Sequence, residues 1–208
     1  LSNYANKTKP QLIFHLAAQP LILEGYKEPF KTYHINTFGT LNLLEICRKS
    51  SFVKSLICIT SDKCYESNYS TKGFKESDKL GGIDPYSSSK VCVEHLFSSY
   101  HDSFFKRSSK QRLATVRAGN VIGGGDYSED RLIPDIYRFA KNKKKIILRN
   151  PNSTRPWQHV LEPLSGYLLL AEKLAKNEIS KVSQNWNFGP NISNCKSVKY
   201  IANYFAKS

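Results

Sequence analysis

Val53-Lys54-Ser55-Leu56-Ile57-Cys58-Ile59-Thr60-Ser61-Asp62-Lys63 passes without a break from an apolar, β-branched run to a hydroxyl, a carboxylate and an amine. A short continuous apolar run predicts a strand buried on both faces, as in a parallel sheet, and the polar cluster then lies at its carboxyl end. Upstream, Ile35, Phe38, Leu41, Leu44 and Cys47 recur at helical spacing from about Thr32 to Lys49, predicting a helix packed along that face. Before it, Gln11 to Leu16 is another buried-strand candidate. Downstream, Ser61 to Pro85 reads as a long loop, a kind that is usually functional in compact domains. A helix over about 87–105 follows, marked by Val93, Leu96, Phe97, Tyr100 and Phe104, then a strand at Leu113–Val116 and the cluster Gly123-Gly124-Gly125. The remaining pattern predicts a helix at Ile133–Lys143, strands at Ile146–Leu148 and Trp186–Phe188, and helices at Pro163–Ala175 and from Ser197. Strands alternating with helices of this length define an α/β chain of βαβ units on a mostly parallel sheet.

Composition narrows the classes. The chain has 208 residues, 40% hydrophobic and 23% charged, enough for a domain with a real core and unlike a disordered or fibrous chain. No run approaches the roughly 18 apolar residues of a membrane span, and Leu1–Pro10 has no apolar signal core. Five cysteines, Cys47, Cys58, Cys64, Cys92 and Cys195, form no C-x-x-C pair, so reduced thiols are expected and neither a disulfide framework nor a metal site is. These features together predict a cytoplasmic protein with no membrane association. The formal charge is +14, from 31 Lys+Arg against 17 Asp+Glu, with a local cluster at Lys141, Lys143, Lys144 and Lys145 beside Arg138 and Arg149. No nucleic-acid-binding signature accompanies it, so an ordinary lysine-rich surface is expected and no nucleic-acid partner. The chain also contains no methionine, which points to a processed form or a fragment.

In a parallel α/β sheet ligands bind beyond the carboxyl ends of the strands. The first strand ends in Leu16-Ala17-Ala18, small enough for a flat cofactor to lie against, or simply closely packed. The second delivers Thr60-Ser61-Asp62-Lys63, a cluster able to exchange protons around a polyol, or an Asp-capped turn with a solvated lysine. Tyr86-Ser87-Ser88-Ser89-Lys90 follows at the start of the next helix. Spacing i to i+4 puts Tyr86 and Lys90 on one helix face, where the ammonium favours a phenolate otherwise formed only near pH 10. Tyr137 and Lys141 share that spacing, but Tyr137 lies mid-helix and is expected to be structural.

Four stretches in order extend this reading: Thr60-Ser61-Asp62-Lys63-Cys64-Tyr65, Leu80-Gly81-Gly82-Ile83-Asp84-Pro85-Tyr86-Ser87, Arg117-Ala118-Gly119-Asn120-Val121-Ile122-Gly123-Gly124-Gly125-Asp126, and Arg155-Pro156-Trp157-Gln158-His159-Val160-Leu161-Glu162-Pro163-Leu164. From Leu12 to about Phe205 the chain resembles the extended short-chain dehydrogenase/reductase superfamily, and within it the nucleotide-sugar 4,6-dehydratases, in their CDP-glucose branch. The resemblance implies a Rossmann-like doubly wound parallel sheet, incomplete at its first strands. Residues 1–150 would form a partial NAD-binding domain and 151–208 part of a smaller nucleotide-sugar-binding domain, with chain interchange between them.

The implied reaction converts CDP-glucose to CDP-4-keto-6-deoxyglucose, in deoxysugar and O-antigen biosynthesis, by internal hydride transfer with NAD as cofactor: oxidation at C4, loss of water across C5 and C6, and reduction at C6. Ser61 would hydrogen-bond the 4-oxygen, Tyr86 take the 4-hydroxyl proton, Asp62 help O6 depart, and Lys90 hold the nicotinamide ribose. Lys63 stands where the dTDP-glucose enzymes have a glutamate, and would relay the C5 proton. Leu16, Ala17, Ala18, Asn36 and Thr60, with Tyr86 and Lys90, would face the cofactor. Asn36 is alternatively a polar group satisfied within its helix. Asn120, Arg131 and Arg155 would meet the nucleotide diphosphate, arginine offering bidentate contacts to phosphate oxygens, and Leu132 would also touch the substrate. His159 either touches the base or fills the core.

The helices near 32–49 and 87–105 correspond to the pair that forms a homodimer contact in the superfamily. The Gly-rich turn and acidic ribose partner of such folds are not in this sequence and are expected before Leu1. An inactive remnant, another nucleotide-sugar dehydratase or epimerase, and a basic nucleic-acid-binding protein are the alternatives.

Overall fold

The computed structural model describes residues 1–66, 73–106, 111–176, 178–179 and 184–206; part of the loop expected over 61–85, residues 67–72, lies outside them. In chain order these residues form α1 (Ser2–Thr8), β1 (Leu12–His15), α2 (Ile22–Lys27), α3 (Pro29–Tyr33), α4 (Gly39–Lys49), β2 (Ser55–Ile59), α5 (Pro85–Tyr100), β3 (Arg112–Ala118), β4 (Val121–Ile122), α6 (Leu132–Lys141), β5 (Thr154–Arg155), β6 (Gln158–His159), α7 (Leu161–Ala175), β7 (Asn185–Phe188), β8 (Lys196–Ser197) and α8 (Val198–Ala206). A π turn at His34–Phe38 joins α3 to α4, and another at His101–Phe105 extends α5.

The main sheet has the order β1-β2-β3-β7, with every neighbouring pair parallel. This is the parallel α/β sheet that the alternating pattern predicts, with the Rossmann-like architecture that the family resemblance implies. Register runs Phe14 to Ile57, Cys58 to Thr115 and Val116 to Trp186. β2 is buried from Ser55 through Cys58, and β3 from Leu113 through Ala118, as strands covered on both faces must be. Leu44 and Cys47 of α4, with Val93, Phe97 and Phe105 on and beyond α5, meet Leu56, Cys58 and Leu113 of the sheet. Each large side chain buried here contributes about 1.5–3 kcal/mol.

The two π turns change which residues face inward. Each inserts a residue into the helical repeat, so a stripe followed at constant spacing slips to the outside. Ile35 and Phe38, expected on the packed face, are 37% and 55% exposed. The inward stripe is instead Thr32, Asn36, Thr40 and Leu44, all at most 1% exposed. Beyond α5 the inward position falls to Phe105, leaving Phe104 half-exposed.

The chain forms two compact units, Leu1–Ala118 with Ser165–Phe188, and Gly119–Leu164 with Gly189–Ser208. It therefore changes unit after Ala118, Leu164 and Phe188. In the first unit α7 crosses β7 at Gly166, where a Cβ would lie 2.1 Å from the Phe188 ring, and Tyr167 meets that ring edge-on at 5.2 Å. In the second, β4 pairs parallel with β6 and β5 antiparallel with β8, and α6 packs with α8. The strand expected at 146–148 does not form: the segment has no ladder partner among the described residues and Ile147 is 86% exposed. All five cysteines are free, and burial pushes the Cys47, Cys58 and Cys64 thiols up to about 12.

Candidate active site

The sequence Asp84-Pro85 starts α5 and thereby places Tyr86. Asp84 caps the helix: its Oδ1 accepts from the Ser87 amide at 2.9 Å and its Oδ2 from the Ser87 hydroxyl at 2.5 Å, while Pro85 fits the first turn, where an N–H is not needed. The preceding loop lies so close that a Cβ on Gly82 would sit 2.4 Å from the Ser87 and Ser88 backbone. Tyr86 is buried in this first turn, whereas Tyr137, the other Tyr-x-x-x-Lys tyrosine, is exposed on α6.

One turn on, Lys90 is 5% exposed and its Nζ donates to the Ile59 carbonyl at 3.1 Å, which brings the helix to the end of β2. Burial lowers the Lys90 pKa, against opposing influences from Cys58, Glu94 and Cys64. Among the described residues the ammonium makes one hydrogen bond, which leaves two N–H groups to offer a ligand.

The polar cluster sits where the sequence puts it. The Thr60 amide extends the sheet by donating to Val116 O at 2.8 Å, and Ser61 begins a 3₁₀ turn over Asp62–Cys64. Ser61 Oγ accepts from the Lys63 amide and donates to Asp62 Oδ1, both at 3.2 Å. Lys63 Nζ is 3.7 Å from Asp62 Oδ1, with both side chains about a third exposed. No group of three or more His, Cys, Asp or Glu side chains suited to a metal occurs among the described residues.

Beneath this cluster runs a network that sequence reasoning missed. Glu94 and Arg117, both 1% exposed in their side chains, pair through Nε to Oε1 at 3.0 Å and Nη2 to Oε2 at 2.7 Å. Thr60 Oγ1 donates to Glu94 Oε1 at 2.5 Å and Thr115 Oγ1 to Oε2 at 2.9 Å. Arg117 Nη1 donates to Tyr65 Oη at 2.7 Å and to Glu76 O at 3.1 Å, and Tyr65 Oη donates to Asn187 Oδ1 at 2.7 Å. The available signals were Glu94 at i+4 from Lys90, and an arginine ending the apolar run 113–116.

At the end of β1, Leu16 and Ala17 are exposed and Ala18 half-buried. Asn36 is buried between elements: its Oδ1 accepts from the Gln19 amide at 2.8 Å, and its Nδ2 donates to Gln19 O at 3.1 Å and Ser89 Oγ at 2.9 Å. Both amide N–H groups are thus in use, holding the β1 loop to α5. Thr40 Oγ1 donates to Asn36 O at 2.7 Å, so His15 Nε2, 3.0 Å away, is the donor to Thr40.

Asn120, Arg131, Leu132 and Arg155 belong to the second unit, and Thr60–Lys90 to the first. Asn120 Oδ1 is buried without a hydrogen-bond partner among the described residues. Arg131 precedes α6 and pairs with Asp126 at 2.7 Å, Leu132 opens that helix half-buried, and Arg155 is exposed on β5. His159 does not fill the core: it is exposed, and its Nδ1 accepts from the Leu161 amide at 3.3 Å.

The chain belongs to the NAD-dependent epimerase/dehydratase family, an enzyme family whose model matches residues 1–188. It is 48% identical to the CDP-glucose 4,6-dehydratase of Salmonella typhimurium, over 97% of this chain and 57% of that protein. It is 31% identical to the dTDP-D-glucose 4,6-dehydratase of Dictyostelium discoideum, over 98% of this chain and 47% of that protein. Solved structures share the fold, among them two nucleotide-sugar enzymes. The dTDP-glucose 4,6-dehydratase from Bacillus anthracis in complex with NAD has a TM-score of 0.81 at 24% identity, covering 99% of this chain and 60% of that one. The UDP-glucose 4-epimerase of Thermotoga maritima with UDP-glucose has a TM-score of 0.84 at 21% identity, covering 99% and 63%. The chain spans about half the length of the curated relatives it matches.

Proposed function

We propose that the full-length protein dehydrates CDP-glucose to CDP-4-keto-6-deoxyglucose with NAD as its cofactor. The similarity to the Salmonella enzyme supports the substrate. The Asp62–Lys63 couple supports dehydration, because removing water across C5 and C6 needs both an acid for the departing oxygen and a base for the C5 proton. Bound NAD would supply a hydride store, drawn from C4 and returned to C6. The exposed end of β1 and the two remaining Lys90 N–H groups suit its nicotinamide ribose.

Tyr86 takes the 4-hydroxyl proton while Ser61 holds the 4-oxygen. The ketone at C4 acidifies C5, and Lys63 takes the C5 proton as Asp62 protonates O6, which leaves as water. The proton Lys63 must first lose is one that Asp62 must carry, and the two groups are 3.7 Å apart. After reduction at C6, Lys63 returns a proton to C5. Asn120, Arg131 and Arg155 are assigned to the CDP diphosphate, and Leu132 to the substrate beside them. A second copy of the chain is the expected partner, through the exposed side chains Phe30, Phe38 and Phe104 of the two long helices.

Full-length protein incubated with CDP-glucose in deuterated water should yield the 4-keto-6-deoxy product labelled at C5, and Lys63→Ala should slow label entry by about tenfold or more. No such product from the wild type overturns the activity; unchanged labelling in Lys63→Ala overturns the relay alone.

A further inference from the structure

We propose that the buried Glu94–Arg117 pair is a positioning unit that fixes the Ser61-Asp62-Lys63 segment at both of its ends; this rests on the dehydratase reading above. Ahead of the segment, Thr60 donates to Glu94; behind it, Tyr65 accepts from Arg117. The three acid–base residues thus span two anchors that converge on one ion pair.

The same helix face ties this segment to the proposed base. Tyr86, Lys90 and Glu94 follow each other at i+4, and the last two grip successive residues of the strand end, Lys90 the Ile59 carbonyl and Glu94 the Thr60 hydroxyl. Any slide of α5 along β2 would break both contacts, so Tyr86 and Asp62 share one frame. Arg117 extends the frame through Glu76 O and, by way of Tyr65, to Asn187 on β7.

Energetics argue against a purely stabilising role. Desolvating two charges costs several kcal/mol per ion, and well-packed apolar residues of similar volume are often as stable. What apolar replacements cannot reproduce is direction: the Glu94 carboxylate accepts four hydrogen bonds, from Arg117 twice and from Thr60 and Thr115, and each fixes an angle as well as a distance. A displacement of about 1 Å in such a site costs roughly a hundredfold in rate.

The test uses full-length protein with Tyr65→Phe, which removes one anchor at nearly constant volume, and the double variant Glu94→Leu/Arg117→Met, which removes the pair without leaving a lone buried charge. Both should fold. The expected result is a fall in kcat for CDP-glucose of about tenfold or more, KM within about twofold of wild type, and C5 label entry slowed more than C4 oxidation. Amide exchange at Cys64 and Tyr65, whose N–H groups close the 3₁₀ turn, should quicken in parallel. Folded variants with wild-type kcat and unchanged exchange overturn the inference. Should the wild type not act on CDP-glucose, the dehydratase reading fails, and amide exchange alone decides the anchoring: quickened exchange supports it, unchanged exchange overturns it.

Discussion

His15 shows how a single side chain is set by its surroundings. It lies at the end of β1, donates to Thr40, and its pKa is lowered to about 4 by burial and by the nearby Lys90 charge. In the unfolded chain the same imidazole takes a proton near pH 6.5. Between those values the unfolded state binds more protons, so stability falls as pH drops from about 6.5 toward 4 and is recovered as pH rises. His15→Gln should flatten this part of the profile, measured as the difference in Tm between pH 7 and pH 5; an unaltered difference excludes His15 as its source. At this scale Tyr86, Lys90, Ser61 and Asp62 were legible because each follows a strand end or helix start at a recognisable spacing. Glu94 and Arg117 were not, because a buried charge looks in sequence like a surface one until its partner, 23 residues away, is known.

Among the elements, α5 depends on its first turn. Asp84→Ala removes two hydrogen bonds from the cap and should cost about 1–2 kcal/mol in urea unfolding, whereas Asp84→Asn should retain most of that stability. Equal losses in both variants would show that the cap is not the cause. β2 and β3 were readable because strands covered on both faces are apolar runs, whereas β1 and β7, only half-buried, were read from the short apolar stretches Gln11–Leu16 and Trp186–Phe188. The inward face of the α3–α4 helix was not, because it is built of Thr32, Asn36 and Thr40, whose polar groups are satisfied by hydrogen bonds, and because the π turn shifts the repeat by a residue. The segment 146–148 was misread for the opposite reason: three apolar residues suggest a strand, but a strand needs a neighbour, and sequence does not supply one.

For the whole molecule, exposed aromatics on the two long helices support self-association. Phe30, His34 and Phe38 lie in a row with ring centroids 5.9 and 5.8 Å apart, and Phe30 is 81% exposed. Full-length protein should sediment as a dimer at micromolar concentration, and Phe38→Asp should shift it to monomer; a monomeric wild type would remove this partner. The order in which the chain is laid down also bears on the site. Every proposed acid–base residue has been made by Lys90, yet the Asn187 that receives the Tyr65 hydroxyl arrives on β7, whose Asn185 is 70 residues beyond its sheet partner Thr115. Closing so long a loop costs about 4 kcal/mol of chain entropy before any contact returns it. Until then β3 is an uncovered edge, open to pairing with another chain. In the order of synthesis the Ser61–Lys90 cluster is therefore made well before the β7 contact that completes its anchoring.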